Sequence, residues 1–414
     1  MTENETRESQ RAARYALAVL TFINLFNYLD RWVVAAVVES IKRSELHLSD
    51  TQLGFVGTGF IVVYTLTSPL FGRLGDRRAR PPLIAIGVAI WSIATAMAGF
   101  ARGFVSLFSA RSAVGVGEAA YGTIAPALLA DFFPLERRGR VFAVFFAAIP
   151  VGSAAGYVLG GVVDQHFGWR AAFWIAGTPG LLLSALALMV KDPPRGLHDP
   201  AAGRVTAPKK WLDAYRDLLR NPPYILAVVG YGAYTFALGG LAFWMPAFLE
   251  RVRGMPRSEA TVTFGVIALG TGIVGTFAGG WLGDLFLPRS RQAYLWVSGI
   301  STLAAAPITY VAISDPRRSV FLTAIVIAEV LIFMSTGPVN SAIVNAVAPG
   351  ERATALGLSV FVMHFLGDIP SPPLIGSLSD ASSLDRGLLI VPAAIVMAGV
   401  IWTFAAWRGQ RASA

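Results

Sequence analysis

Twelve apolar runs divide this chain, each close to the 20 or so residues a helix needs to cross a bilayer. They fall at about 14–36, 49–72, 81–100, 104–130, 139–163 and 169–190, then at 222–249, 259–284, 291–313, 319–346, 353–378 and 386–407. Lipid offers no partner to an open backbone N–H or C=O, so runs of this length are expected to cross as helices. The pattern predicts an all-α polytopic membrane protein of twelve transmembrane helices. Composition agrees, because only 14% of the 414 residues are charged, where a soluble domain carries about 25%.

The longest polar stretch, 191–221, carries seven Lys/Arg and ends in WLDAYRDLLR (211–220), whose apolar residues recur with helical spacing. It predicts a six-helix bundle over 1–190, a cytoplasmic linker with an amphipathic helix over 191–221, and a second six-helix bundle over 222–414. Internal repeats support the duplication. GRLGD (72–76) ends the second span and GWLGD (280–284) the eighth. PLER (134–137) precedes the fifth span and PGER (349–352) the eleventh, and Gly160 with Asp164 is matched by Gly376 with Asp380. The polar start, Met1 to Gln10, and the absence of a small-residue cleavage site after the first apolar run make that run a first span, not a removed leader.

A net charge of +9 raises the question of a nucleic-acid partner. The basic residues are asymmetric instead: the side shared by the termini and the linker holds 22 Lys/Arg, the opposite side 10. That bias places both termini in the cytoplasm and accounts for the charge, with the bilayer and no nucleic acid as partner. There is no cysteine, and His47, His166, His198 and His364 lack ligand spacing. No Walker loop, GxSxG or HExxH is present, so neither an enzyme nor a cofactor or metal site is expected.

Charges at bilayer depth carry the chemistry, since each costs about 2.5–3.5 kcal/mol at a helix centre. Asp30 and Arg31 lie in the first span, Arg111 and Glu118 in the fourth. Arg111 and Glu118 are seven residues apart and share a helix face, with Gly115 between them for a close neighbour. Burial and a neighbouring guanidinium push a carboxyl's titration in opposite directions, so such a group can titrate near physiological pH. Asp30 and Glu118 are therefore expected to carry protons, and Arg31 and Arg111 to pair with them or with an anionic substrate group. The other reading is a purely structural ion-pair cluster.

Tyr231 and Tyr234 of the seventh span are expected at the substrate site, where aromatic rings suit an aliphatic or amphiphilic ligand. In GRLGDRRAR (72–80), Gly72, Asp76 and Arg77 are candidates for a gate, with Asp131 at the end of the fourth span and Asp284 in the second copy of the motif. Arg77, Arg78 and Arg80 are expected to face the cytoplasm. Gly152, Gly156 and Gly160 form a small-residue stripe suited to close helix contact, or to a span that rocks against one from the other half. Polar residues within spans of the second half are Glu329, Asn340, Asn345, His364 and Asp368, the last followed by Pro370, Pro372 and Pro373.

The two halves, the linker and GxLxD followed by basic residues at 72–80 resemble the major facilitator superfamily. INLFNYLDR (23–31), ARSAVGVGEAAYGTIAPALLADFF (110–133) and GDIPSPPLIGSLSD (367–380) are similar to its Spinster branch. The copy at 280–284 departs from the motif, since Leu285 and Phe286 replace the basic residues. The resemblance implies that fold, with two pseudo-symmetric bundles, and a bacterial-type member in the inner (plasma) membrane. It further implies proton-coupled alternating access for lysophospholipids or sphingosine-type phosphorylated lipids, with Asp30, Arg31, Arg111 and Glu118 matching the family's pattern. The protein is expected to act as a monomer. Export of drugs or small polar metabolites, and a non-transporting receptor or scaffold on the same fold, are the alternatives.

Overall fold

The computed structural model describes residues 3–133, 135–194, 211–347 and 352–413; the side chains at 3–7, 73, 76, 135–140, 142–143, 211–214, 344, 352–354 and 412–413 lie outside it. Among the described residues every regular element is helical, and twelve helices are long and apolar enough to cross a membrane. The first six are α1 (Glu3–Arg43), α2 (Asp50–Arg77), α3 (Arg80–Ala98), α4 (Phe104–Phe132), α5 (Leu135–Phe167) and α6 (Trp169–Leu188). A short helix, α7 (Trp211–Leu219), falls where the amphipathic end of the linker was expected; residues 195–210 of that linker lie outside the described residues.

Next come α8 (Pro222–Arg251), α9 (Arg257–Phe286) and α10 (Ala293–Ser314). The tenth span is two helices, α11 (Arg318–Phe333) and α12 (Thr336–Asn345). The eleventh is α13 (Arg352–Met363), a π-helical turn over His364–Asp368, and α14 (Ser371–Ala381). The last span is α15 (Leu384–Leu388) with α16 (Ile390–Ser413). Prolines explain the interruptions of the tenth and eleventh spans. Pro338 has no N–H for the carbonyl of Met334, where the tenth span breaks. Pro370, Pro372 and Pro373 have no N–H for the carbonyls of Leu366, Asp368 and Ile369, and the turn before them widens so that Ile369 N–H reaches His364 O at 3.1 Å.

Two compact units account for the chain, one of 1–48, 59–206 and 257–265, the other of 49–58, 207–256 and 266–414. Each unit thus contains one helix start from the opposite half of the sequence. In the second unit the Asp380 carboxylate accepts from Asp50 N–H and Thr51 N–H, both at 2.8 Å, and so caps α2 from the end of α14. Arg251 and Ser379 donate to Asp50 at 2.6 and 2.7 Å. The equivalent device in the first unit holds α9: Ser40 donates to Asp164, and Arg257 reaches the same carboxylate at 3.3 Å.

Within the first unit the glycine stripe of α5 faces α1. A Cβ on Gly152 or Gly156 would strike the carbonyl of Leu25 or Leu29, and one on Gly160 would lie 2.6 Å from Ala36 Cβ. The stripe therefore seats a helix of its own half, not one of the other. Gly161, one residue on, is the glycine that meets α9, at Thr261. In the second unit Trp402 of α16 donates to Ala227 O at 3.0 Å and fills the space left by Gly230. After α8, Arg253 donates to the carbonyl of Ile313 and closes the end of α10, its guanidinium 4.9 Å from the Phe248 ring. Burial holds the Arg253 pKa below the usual arginine range.

Candidate functional site

Helices α1 and α4 bring the four charges together. Asp30 and Arg31 are consecutive, so their side chains leave α1 about 100° apart and reach different levels of α4. Arg111 donates to Asp30 at 3.0 Å, and Arg31 donates to Glu118 at 2.7 Å. The pairs are crossed, each linking an acid of one helix to a base of the other. Thr95 of α3 also donates to Asp30. The side chains of Arg111 and Glu118 are fully buried, Asp30 is 2% exposed and Arg31 is 19% exposed.

Close helix approach makes the burial possible. A Cβ on Gly115 would meet the backbone of Phe60 and Tyr64 on α2, while one on Gly117 would lie 2.7 Å from the Trp91 nitrogen on α3. With α2 so near, rings of α1 and α2 surround the guanidinium groups. Arg31 lies 4.7 Å from the Tyr28 centroid, 5.2 Å from Phe60 and 5.4 Å from Tyr64, and Arg111 lies 5.7 Å from Phe60. Ring faces stabilise a cation where water is scarce.

The network is only partly satisfied. Arg111 Nε and Nη2 and Glu118 Oε1 are buried without a hydrogen-bond partner, as is Asn27 Nδ2 on the same stretch of α1. Buried polar atoms are rarely left so, and an orphaned donor costs about 1–3 kcal/mol, more when charged. Two free donor nitrogens on one guanidinium match the oxygens of a phosphate or carboxylate.

Tyr231 and Tyr234 are placed in the second unit, their rings 5.9 Å apart. The Tyr234 hydroxyl bonds Thr336 at 3.2 Å, Asn340 donates to the Tyr231 hydroxyl at 3.4 Å, and Tyr234 packs on Trp402 at 5.6 Å. On α13 and the π turn, His364 Nδ1 lies 2.8 Å from Asp368. The structure does not bring the tyrosines against the four charges in one unit.

The gate candidates lie in different surroundings. The Asp76 side chain lies outside the described residues. Gly72 has nothing within 4 Å of an added Cβ, and Arg77 is exposed. Asp131 is held by Arg80, which the sequence suggested would face the cytoplasm with its neighbours. Arg80 is instead buried at the start of α3, donating also to Asp192 at 2.7 Å and to Pro193 O at 2.7 Å. Asp284 is exposed and accepts from the Tyr294 hydroxyl at 2.8 Å. Thr95, Phe60, Tyr64, Arg80 and Asp192 are the neighbours that sequence reasoning missed; nothing but proximity in the fold marks them.

Comparison with known proteins agrees with this architecture. A family model described as Major Facilitator Superfamily matches residues 20–372. Protein spinster homolog 1 of Xenopus tropicalis is 35% identical over 391 residues, covering 90% of this chain and 74% of the relative. Its Homo sapiens counterpart is 37% identical over 385 residues, covering 88% and 72%. A crystal structure of a bacterial homolog to the human lysosomal transporter Spinster, inward-facing and unoccupied, superposes with a TM-score of 0.87 at 24% identity, covering 95% of this chain and 97% of that one. The chain is an integral membrane protein and belongs to the major facilitator superfamily, as a transporter of the Spinster type.

Proposed function

We propose that this transporter couples proton movement to alternating access for an anionic amphiphile, such as a lysophospholipid or a sphingosine-phosphate-like lipid. The observation that carries this reading is the pair of crossed, water-shielded ion pairs, Arg111 to Asp30 and Arg31 to Glu118, with two guanidinium donors left free. A proton added to Asp30 or Glu118 removes the charge that holds its arginine. The freed guanidinium then has the geometry and charge to take a headgroup phosphate, a bidentate contact stronger than a neutral hydrogen bond. The carboxylate and the substrate phosphate compete for the same cation, so protonation of the acid favours substrate binding and substrate binding favours protonation. Tyr231 and Tyr234 supply aromatic surface suited to an acyl chain.

The transporter works as a monomer in a bacterial inner membrane with both termini cytoplasmic, and protons are its coupling ion, without a further cofactor. Uptake of labelled lysolipid into proteoliposomes, with and without an imposed pH gradient, tests the reading. Asp30→Asn or Glu118→Gln should abolish the gradient-driven component while leaving the protein folded. Unchanged transport in both variants removes proton coupling through this site, and a preference for small polar solutes removes the lipid substrate.

A further inference from the structure

Seven acids are buried among the described residues: Asp30, Glu39, Asp50, Glu118, Asp131, Asp164 and Glu329. Six of them hold an arginine. Glu329, on α11 in the second unit, does not. Its contact is a hydrogen bond from the Thr271 hydroxyl of α9 at 2.8 Å. Glu329 shares a cavity lining with Leu241 and Met245 of α8 and Thr309, Ala312 and Ile313 of α10; neither these nor Thr271 is titratable. Glu329 is thus one of the residues lining a cavity of about 20 Å³. That is room for one water molecule.

An ionised carboxylate with no cation in such surroundings is far more costly than the neutral acid. We infer that Glu329 is a second proton-binding site of this transporter, exchanging its proton with water through the adjoining cavity. Release breaks the Glu329 O–H bond and transfers the proton to that water. The carboxylate left behind retains the Thr271 hydroxyl as donor. The site lies on a different unit from Asp30 and Glu118, so the second half of the chain takes up protons in its own right. This extends the coupling reading above, yet its test needs no transport.

Infrared difference spectra of the purified full-length protein, stepped between about pH 5 and about pH 9, report the C=O stretch of protonated carboxyls, a range that reaches buried glutamates. Glu329→Gln keeps the shape and the hydrogen bond while removing the proton. A titrating component present in the wild type and in Asp30→Asn and Glu118→Gln should vanish in Glu329→Gln. Thr271→Val, which removes the hydrogen-bond partner of the carboxyl, should shift that component's midpoint. If Glu329→Gln removes no titrating component, or Thr271→Val leaves the midpoint in place, the inference is overturned. If instead the Asp30 and Glu118 variants are the ones that lack titrating components of their own, the coupling reading stands whatever becomes of Glu329.

Discussion

Replacing Arg111 by Met would leave Asp30 in a site with 2% exposure and, among the described residues, only Thr95 as a donor. Removing one partner of a buried ion pair costs about 3–5 kcal/mol. The cost has a pH signature that a simple packing loss lacks. In the variant fold the stranded carboxyl keeps its proton, whereas in the unfolded chain it ionises above about pH 4. The folded state then binds more protons, so stability falls as pH rises, by up to about 1.4 kcal/mol per unit. The gap between wild type and Arg111→Met should be small near pH 5 and largest near pH 8. Adding Asp30→Asn removes the stranded acid, so the double variant should recover most of the loss at high pH. Thermal unfolding in one detergent at several pH values measures all four proteins. A pH-independent gap, or a double variant whose loss is the sum of the two singles, would refute the argument, because uncoupled groups simply add.

Three further outcomes are expected from unfolding midpoints. Gly156→Ala drives a Cβ onto the Leu29 carbonyl and within 3.1 Å of Trp32 Cβ, and should cost about 1–3 kcal/mol, whereas Gly72→Ala meets nothing and should gain up to about 1 kcal/mol. Asp380→Ala uncaps the start of α2 and should cost about 1–2 kcal/mol, with Asp380→Asn losing less. Arg80→Ala strands Asp131 and should cost about 3–5 kcal/mol, while Arg77→Ala, an exposed neighbour in the same basic run, should stay within about 0.5 kcal/mol of wild type.

Sequence made the twelve spans readable because apolar length is a property of each run alone. The four intramembrane charges were equally plain, since any ion in such a run stands out. Which arginine serves which acid was not, because that depends on how α1 is rotated at Asp30 and Arg31 relative to α4. Arg80 was hidden in a basic run where every cation looks like a topology signal. Asp50, Asp164, Arg251 and Arg257 drew no notice as a site because they sit at the edges of apolar runs, where a charge is cheap. Asp164 and Asp380 surfaced as a repeat, yet their task as anchors for α9 and α2 needed the other half of the chain in view. The glycine stripe announced a close contact but could not say with which helix.

The π turn at His364–Asp368 houses one residue more than an α-helix would use over the same rise. It therefore offers the eleventh span a place to shed a residue. Deleting Phe365, which is 62% exposed, would let the turn relax to ordinary helical winding while α14 keeps its facing. The same deletion within α13 would swing every following side chain by about 100°. Length variation among chains of this kind should gather at that turn, and a variant shortened there should still insert and fold.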